Sequence, residues 1–597
     1  MATATQLWED CPGRASGRSR RNILDPSFAL PLSDNARYLL RFRYLKQEPN
    51  GEWESPEALF RRVAWCLAGA ERRFNPALTE GEALSWADLF FEEMTSGRYL
   101  PNAPALLGAA RAPQQMAACF VLPVEDSIDG IFQALRQAAI VHARGGGTGF
   151  SFSGLRPAGS PVRSGGAASG PVAFLHAFDI ETEIVKRGGT GWGANMGVLR
   201  CDHPDIGEFV RAKSANGRPL RNFNLSVGIT NEYMDRLERG DAAARQLFDL
   251  ICQEAWNTGD PGLLFLDHIN DDNPTPALGA IDATNPCGEA PLLPFESCCL
   301  GALNVARFFD AKTRALRWDD MAVSAAAAVR MMDNLVEVNA YPLEEIREAT
   351  LRNRKLGIGV MGFADLLLAL RIPYDSSEAE ELAGKLMSHI QRCTREASAA
   401  LAAERGSFPA FGQSIWPSGG YPGLRNATTT SNAPNSTISV VAGCSAGIEP
   451  LYSLSFSRRL ANGDILTEVH EGVLSIAREE GFYSEALEAH LRRTGGIEGA
   501  PGVPEDYRRL FVSAHGLAPS WHVRLKAAFQ RYTDLGVSKT INMPRDATPA
   551  DIGEAFRLAY QLRCKGITCF RDGCREEQFL ARPDSSDLEN PCPTCQP

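Results

Sequence analysis

Residues 355–362 read KLGIGVMG, a short run of β-branched and apolar side chains interrupted and closed by glycine. Such a run, too short for a helix of ordinary length and apolar at nearly every position, predicts a strand buried on both faces. NLSVGI (224–229) and STISVVAG (436–443) carry the same pattern and predict two more strands. Helical segments lie between them. Residues 52–100 place Leu59, Val63, Cys66 and Leu67 at helical spacing. Residues 377–405 put Leu382, Leu386, Ile390, Cys393, Ala397 and Leu401 on one face, behind a Ser377/Glu380 capping box and ahead of Gly406. Strands alternating with helices predict an α/β fold, either a barrel or a large doubly wound sheet.

The 597 residues are 44% hydrophobic and 22% charged, a composition that buries a large core and excludes both a small binding module and a disordered chain. The formal charge of −11 provides no basic field for a nucleic-acid polymer or an anionic membrane surface. The apolar run 322–329 ends at Arg330, far short of the ~20 residues of a bilayer span. The first twenty residues mix Arg18 and Arg20 with Glu9 and Asp10 and have no apolar segment of the secretory type. A cytoplasmic protein is expected, with a loose tail over 1–30, a helical region over 31–95, a catalytic core over 96–575 and a polar tail over 576–597.

Fifteen cysteines in such a chain are too sparse for a disulfide scaffold and odd in number, so reactivity, metal binding or simple burial must account for them. NPCGEAPLLPFESCC (285–299) is the most informative context. Asn285, Cys287 and Glu289 alternate at period two, so an extended finger would turn an amide, a thiol and a carboxyl toward one ligand, a set suited to moving hydrogen atoms or protons. PNSTIS (434–439) gathers short polar side chains beside free backbone amides, an arrangement that suits a phosphate as well as it suits a plain helix cap. The glycine-rich stretches RGGGTGFSFSGLRP (144–157) and GGTGWGANMG (188–197) lack the Gly-Lys-Ser/Thr of a P-loop and read as tight turns. Cys592-Pro-Thr-Cys595 forms a C-x-x-C near the end of the chain, where a redox disulfide is favoured over half of a zinc site. Cys564, Cys569 and Cys574 stand at spacings wider than those of common zinc knuckles.

Taken in order, RYL (43–45), LPNAPALL (100–107), AACFVLPVEDS (117–127), GGGTGFSFSGLRP, GANMGVLRCDHPDI (193–206), NFNLSV (222–227), TGDPGLLFLD (258–267), NPCGE, MGFADLL (361–367), SAGIEPLYS, SKTINMP (538–544) and the final C-x-x-C resemble the catalytic chain of ribonucleotide reductases, most closely the adenosylcobalamin-dependent class II. The resemblance implies a ten-stranded α/β barrel threaded by the NPCGE finger, with a helical N-terminal region and a flexible C-terminal tail. It implies that Cys287 carries a thiyl radical, that Glu289 is the general base on the ribose 3′ hydroxyl, and that Asn285 bonds the ribose hydroxyls. Cys119 and Cys298 become the reducing pair, and Cys592 and Cys595 the relay to thioredoxin or glutaredoxin. Substrate contacts fall on Ala103, Ala118, Asn435, Ser436, Thr437 and Ile438. A deoxynucleotide or ATP effector falls on Lys213, Arg218 and Arg221. A homodimer is expected, and no protein metal site.

The chain has no Tyr-Tyr pair of the kind that relays a radical from a second subunit and no glycyl-radical motif, so adenosylcobalamin is the implied radical source. Thr190, Gly191 and Trp192 stand where relatives commonly carry arginines in the first specificity loop, and Cys299 stands where they carry asparagine. The stretch ahead of the core is too short for an ATP-cone domain, so overall on/off control there is expected to be absent. Diphosphate substrates are favoured over triphosphates. Two other readings stand beside this one: a class I-like large subunit fed by a separate metal-containing subunit, and a zinc-binding structural protein built on Cys564 to Cys595.

Overall fold

The computed structural model describes residues 22–48, 50–163, 165–188, 193–214, 220–459 and 465–574. Its strands in chain order are β1 (Tyr99–Pro101), β2 (Cys119–Val121), β3 (Gly147–Ser151), β4 (Asn195–Arg200), β5 (Phe223–Ile229), β6 (Gly262–Phe265), β7 (Ala283–Thr284), β8 (Pro291–Leu292), β9 (Ser297–Asn304), β10 (Phe309–Asp310), β11 (Ala315–Leu316), β12 (Leu356–Met361), β13 (Ser455–Arg459), β14 (Ile465–Val469), β15 (Thr540–Met543) and β16 (Gly566–Arg571). Three antiparallel pairs, β7 with β8, β10 with β11 and β13 with β14, stand apart from one ten-stranded sheet made by the rest.

Within that sheet β2 to β6 are successive parallel neighbours. β9 runs parallel to β12, and β15 to β16. Antiparallel joins of β2 to β9 and of β6 to β16 unite the two halves. Residues 428–432 fill the space between β12 and β15: Ile358 bridges to Thr430 and Asn432 to Val537, with Leu356 N–H donating to Thr428 O at 3.0 Å and Leu535 N–H to Thr430 O at 3.1 Å. The ring therefore closes as a barrel. Asp534 fastens this seam, accepting from the N–H groups of Thr429 and Thr430 and pairing at 2.6 Å with Arg395 of the helix Ser377–Arg405.

β9 and β12 are buried at every position, as strands covered on both faces must be. One core lies between barrel and helices. A second fills the lumen and contains Cys119, Val121, Met196, Val198, Leu292, Cys298 and Leu300. The helices Pro56–Ala68, Glu71–Phe74 and Glu80–Thr95 form the N-terminal layer, the last with a Thr79/Glu82 capping box. A buried charge cluster locks that layer to the helices behind β12. Glu71 pairs with Arg330 at 2.6 Å and Arg405 at 2.7 Å, while Asp333 pairs with Arg354 and Arg405 at 2.8 Å each and with Arg425 at 3.3 Å.

Two local expectations are corrected. STISVVAG is not a strand: Ser436–Ala442 is a helix, entered through Asn435 in the left-handed region (φ 58°) and left through Gly443. Its β-branched content favours a strand, but Ile438, Val441 and Ala442 are buried at helical spacing and tertiary packing overrides propensity. The helix Ser377–Arg405 has the predicted span, yet its cap is Ser376, whose hydroxyl accepts from Ala379 N–H at 3.1 Å.

Candidate active site

The chain between β7 and β8 is a finger inside the barrel. Asn285 closes its turn: its Oδ1 accepts from Ala290 N–H at 2.9 Å and its main-chain oxygen from Gly288 N–H at 3.1 Å. Gly288 occupies the left-handed region at φ 83°, a backbone state most side chains resist. The lumen wall grips this finger by its main chain. Asn224 Nδ2 of β5 donates to Pro286 O at 2.8 Å, Gly536 N–H to Glu289 O at 2.8 Å, and Ser431 Oγ to Glu289 O at 2.9 Å. Gly149 of β3 lies so close that a Cβ there would overlap Thr284 O. Asn224, Ser431, Gly149 and Gly536 were not among the expected site residues. One signal for Asn224 was available, a polar side chain at the start of an otherwise buried strand.

Strand register sets the two thiols. β2 and β9 are antiparallel neighbours in which Cys119 lies directly opposite Cys298. Opposed residues of such a pair hold their Cβ atoms about 4.5–5.5 Å apart on the same face, within small adjustments of disulfide geometry. Both are buried free thiols. Asn285 Nδ2 approaches Cys119 Sγ at 3.1 Å, which ties the finger to the pair. Cys299 points to the opposite face, into the core behind β9. Cys299, although adjacent to Cys298, therefore does not face Cys119 across the sheet.

Cys287 is exposed to solvent, and so is Asn224, whereas Glu289 and Asn285 are buried. Desolvation nonetheless pushes the Cys287 thiol well above the ordinary range. A thiol on the floor of a recess meets both conditions, being open on one side and walled by protein on the others. Burial also raises Cys119 and Cys298, helped at Cys119 by the Glu289 carboxylate, so all three sulfurs hold their protons at neutral pH. Glu289 is pushed up to about 7, chiefly by burial, and its Oε2 has no hydrogen-bond partner. An ionisable group near neutrality with a free oxygen beside three protonated thiols can take and return a proton.

The other expected contacts surround this centre. β1 and β2 lie end to end along one edge of β9, because Pro101 pairs with Gly301 and Cys119 with Cys298. Between them the wall is broken. Ala103, first residue of the helix Ala103–Gly108, and Ala118 flank that break, where Asn102 N–H donates to Leu300 O. Asn435 anchors the start of the helix Ser436–Ala442 through Nδ2 to Val360 O at 3.1 Å, and its buried Oδ1 is unpartnered. No side chain caps this helix; Ser436 is exposed, Thr437 half-buried and Ile438 buried. The first amides of a helix have no partner within it, so they are available to an anion.

Of the expected effector residues, Lys213 turns inward, its ammonium 2.8 Å from Asp260 and bonded to Phe223 O. Arg221 is exposed. Arg218, the Thr190–Trp192 loop and the Cys592/Cys595 pair lie outside the described residues. Among the described residues no three His, Cys, Asp or Glu side chains gather to hold a metal, and Cys564 and Cys569 belong to the core behind the barrel. No described helix is long and apolar enough to cross a membrane.

The family profile for the ribonucleotide reductase barrel domain matches residues 117–243 and 239–570, and that for the all-alpha domain of the same enzymes matches 30–114. A protein of Thermoplasma acidophilum named vitamin B12-dependent ribonucleoside-diphosphate reductase is 46% identical over 95% of this chain and 82% of its own length. One of that name from Mycobacterium tuberculosis is 45% identical over 95% of the chain and 83% of its own. Among solved structures, the Actinobacillus ureae class Id ribonucleotide reductase alpha subunit superposes with a TM-score of 0.77 at 22% identity, covering 91% of this chain and 97% of that one. That likeness is one of fold.

Proposed function

Because the chain belongs to the ribonucleotide reductase family, we propose that it converts ribonucleoside diphosphates to 2′-deoxyribonucleotides with adenosylcobalamin as the radical source. The diphosphate level and the cofactor follow the names of the relatives at 45–46% identity. When bound, the cofactor supplies an unpaired electron by homolysis of its cobalt–carbon bond. Cys287 fits such a partner: alone among the finger and paired thiols it is open to solvent, and it holds a hydrogen atom to give.

The observation that carries the reading is the cross-strand opposition of Cys119 and Cys298 directly beside the Asn285–Glu289 finger. Cys287, as a thiyl radical, takes the 3′ hydrogen of the ribose and returns it at the end of the cycle. Glu289 accepts the proton of the 3′ hydroxyl through its unpartnered oxygen, and Asn285 holds the ribose hydroxyls. One paired thiol protonates the departing 2′ hydroxyl. The pair loses two protons and two electrons in all, so ribose C–OH plus two thiols becomes C–H, water and one disulfide. The amides opening the helix Ser436–Ala442, with Ser436 and Thr437, hold the diphosphate. Cys592 and Cys595 reduce the disulfide and pass the oxidation to a thioredoxin-like protein.

Incubation of the purified protein with ADP or CDP, adenosylcobalamin and dithiothreitol is expected to yield the deoxynucleotide. Absence of product from diphosphates and triphosphates alike would refute the activity. Product formed only with an added metal-containing subunit, and without cobalamin, would refute the cofactor. A Cys592→Ser/Cys595→Ser variant should keep turnover with dithiothreitol and lose it with thioredoxin; equal loss with both would refute the relay.

A further inference from the structure

We infer that Tyr44, in the N-terminal helical layer, is a positioning residue of the phosphate site, aligning the Thr437 hydroxyl to donate to the substrate's diphosphate. The inference rests on the proposed phosphate role of the helix Ser436–Ala442. Its basis is one contact between residues 393 positions apart: Tyr44 Oη donates to Thr437 Oγ1 at 2.7 Å. Tyr44 is fully buried, so its phenol has no water as an alternative partner and its direction is fixed by packing.

The local backbone is built to aim this side chain. The helix Asp34–Leu39 packs against Ser436–Ala442, and its next turn, Leu40–Tyr44, is a π-helix in which Leu45 N–H reaches back to Leu40 O. A π-turn inserts one residue into a helical path and rotates the residues after it; such turns persist where a side chain must be re-aimed. Arg111 secures the far end by donating to Tyr44 O at 3.2 Å.

The chemistry comes from the valence of a hydroxyl, one hydrogen and two lone pairs. With a lone pair of Thr437 occupied by the Tyr44 O–H, the threonine's own hydrogen must point elsewhere. Thr437 is half-buried beside the exposed Ser436, so the open direction is the one from which a phosphate would approach the uncapped amides. A hydroxyl polarised by a donor is also a stronger donor in its turn.

The test is a double-mutant cycle with ADP as the probe, using wild type, Tyr44→Phe, Thr437→Ala and the double variant, each read by calorimetric binding and by steady-state turnover. Phenylalanine keeps the packing ring. Tyr44→Phe is expected to raise the Kd and KM for ADP roughly three- to tenfold, the size of one hydrogen bond to a charged partner, with kcat within about twofold. The double variant is expected to match Thr437→Ala alone. Unchanged ADP affinity in Tyr44→Phe would overturn the inference, as would multiplication of the two effects, which is the signature of independent sites. A wild-type protein that neither binds ADP nor turns it over would instead overturn the underlying reading of the site.

Discussion

Replacing Glu289 by glutamine should abolish turnover and yet stabilise the protein, by an amount that depends on pH. The carboxyl is 2% exposed and its pKa rises from 4.5 to about 7 on burial. Below pH 4.5 the group is protonated in both folded and unfolded chains and costs nothing. Between 4.5 and 7 the folded state holds a proton that the unfolded state has released, so stability falls as pH rises through this window and stays low above it. A shift of that size corresponds to about 3 kcal/mol, at ~1.4 kcal/mol for each tenfold change. Glutamine mimics the protonated carboxyl at every pH and escapes the loss. Unfolding by denaturant should therefore show Glu289→Gln and wild type equal near pH 4.5, and the variant more stable by about 3 kcal/mol at about pH 8. In turnover, wild-type kcat/KM should fall about tenfold per pH unit below about 7, the limb of an essential base. A variant no more stable at about pH 8 than at about pH 4.5, relative to wild type, would refute the buried-carboxyl argument, and an acidic limb near 4.5 would refute its catalytic use.

Three further outcomes are expected. After a single turnover of the Cys592→Ser/Cys595→Ser variant without external reductant, peptide mapping should find one new disulfide joining Cys119 to Cys298, and adding Cys298→Ser should leave neither disulfide nor product; a bridge to Cys299 would contradict the strand register. Gly149→Ala must displace the finger, since its methyl would meet Thr284 O, so kcat should drop on the order of a hundredfold, as for a reacting group moved by about 1 Å. Measured against wild-type stability, that variant tests whether the close approach sets the chemistry. Asp333→Ala leaves three buried arginines without their shared carboxylate and should destabilise the fold by roughly 3–5 kcal/mol in denaturant titrations; a loss under about 1 kcal/mol would show that the cluster relaxes to water.

The sequence displayed the chemistry better than the framework that holds it. The extended finger expected from the period-two spacing of Asn285, Cys287 and Glu289 is instead a turn over 286–289 with Gly288 at φ 83°, and the three residues stay near one another because a turn is a local feature. The opposition of Cys119 and Cys298 is not local: it depends on an antiparallel register between strands about 180 positions apart, and only the family resemblance pointed to that pair. Ser431, Gly536 and Gly149 act through main-chain contacts, which leave no imprint on hydrophobic periodicity. The helix Ser436–Ala442 was misread because a seven-residue segment rich in β-branched side chains offers too few turns for its helical spacing to outweigh propensity. Tyr44 sits in a helix whose apolar spacing is interrupted by a π-turn, and its partner lies far along the chain.

Eight-stranded barrels are just wide enough for their interior side chains to fill them. Two additional staves leave room for a length of polypeptide, here the finger between β7 and β8. On the proposed mechanism, a reactive intermediate at the finger's tip would sit in a lumen whose side chains are mainly aliphatic, with Cys119, Cys298 and Met196 its sulfur-bearing neighbours. On the proposed mechanism the barrel's width would work as a quarantine: it would separate a destructive species from the rest of the protein, while the break between β1 and β2 and the helix at Ser436 would be free to vary with the substrate.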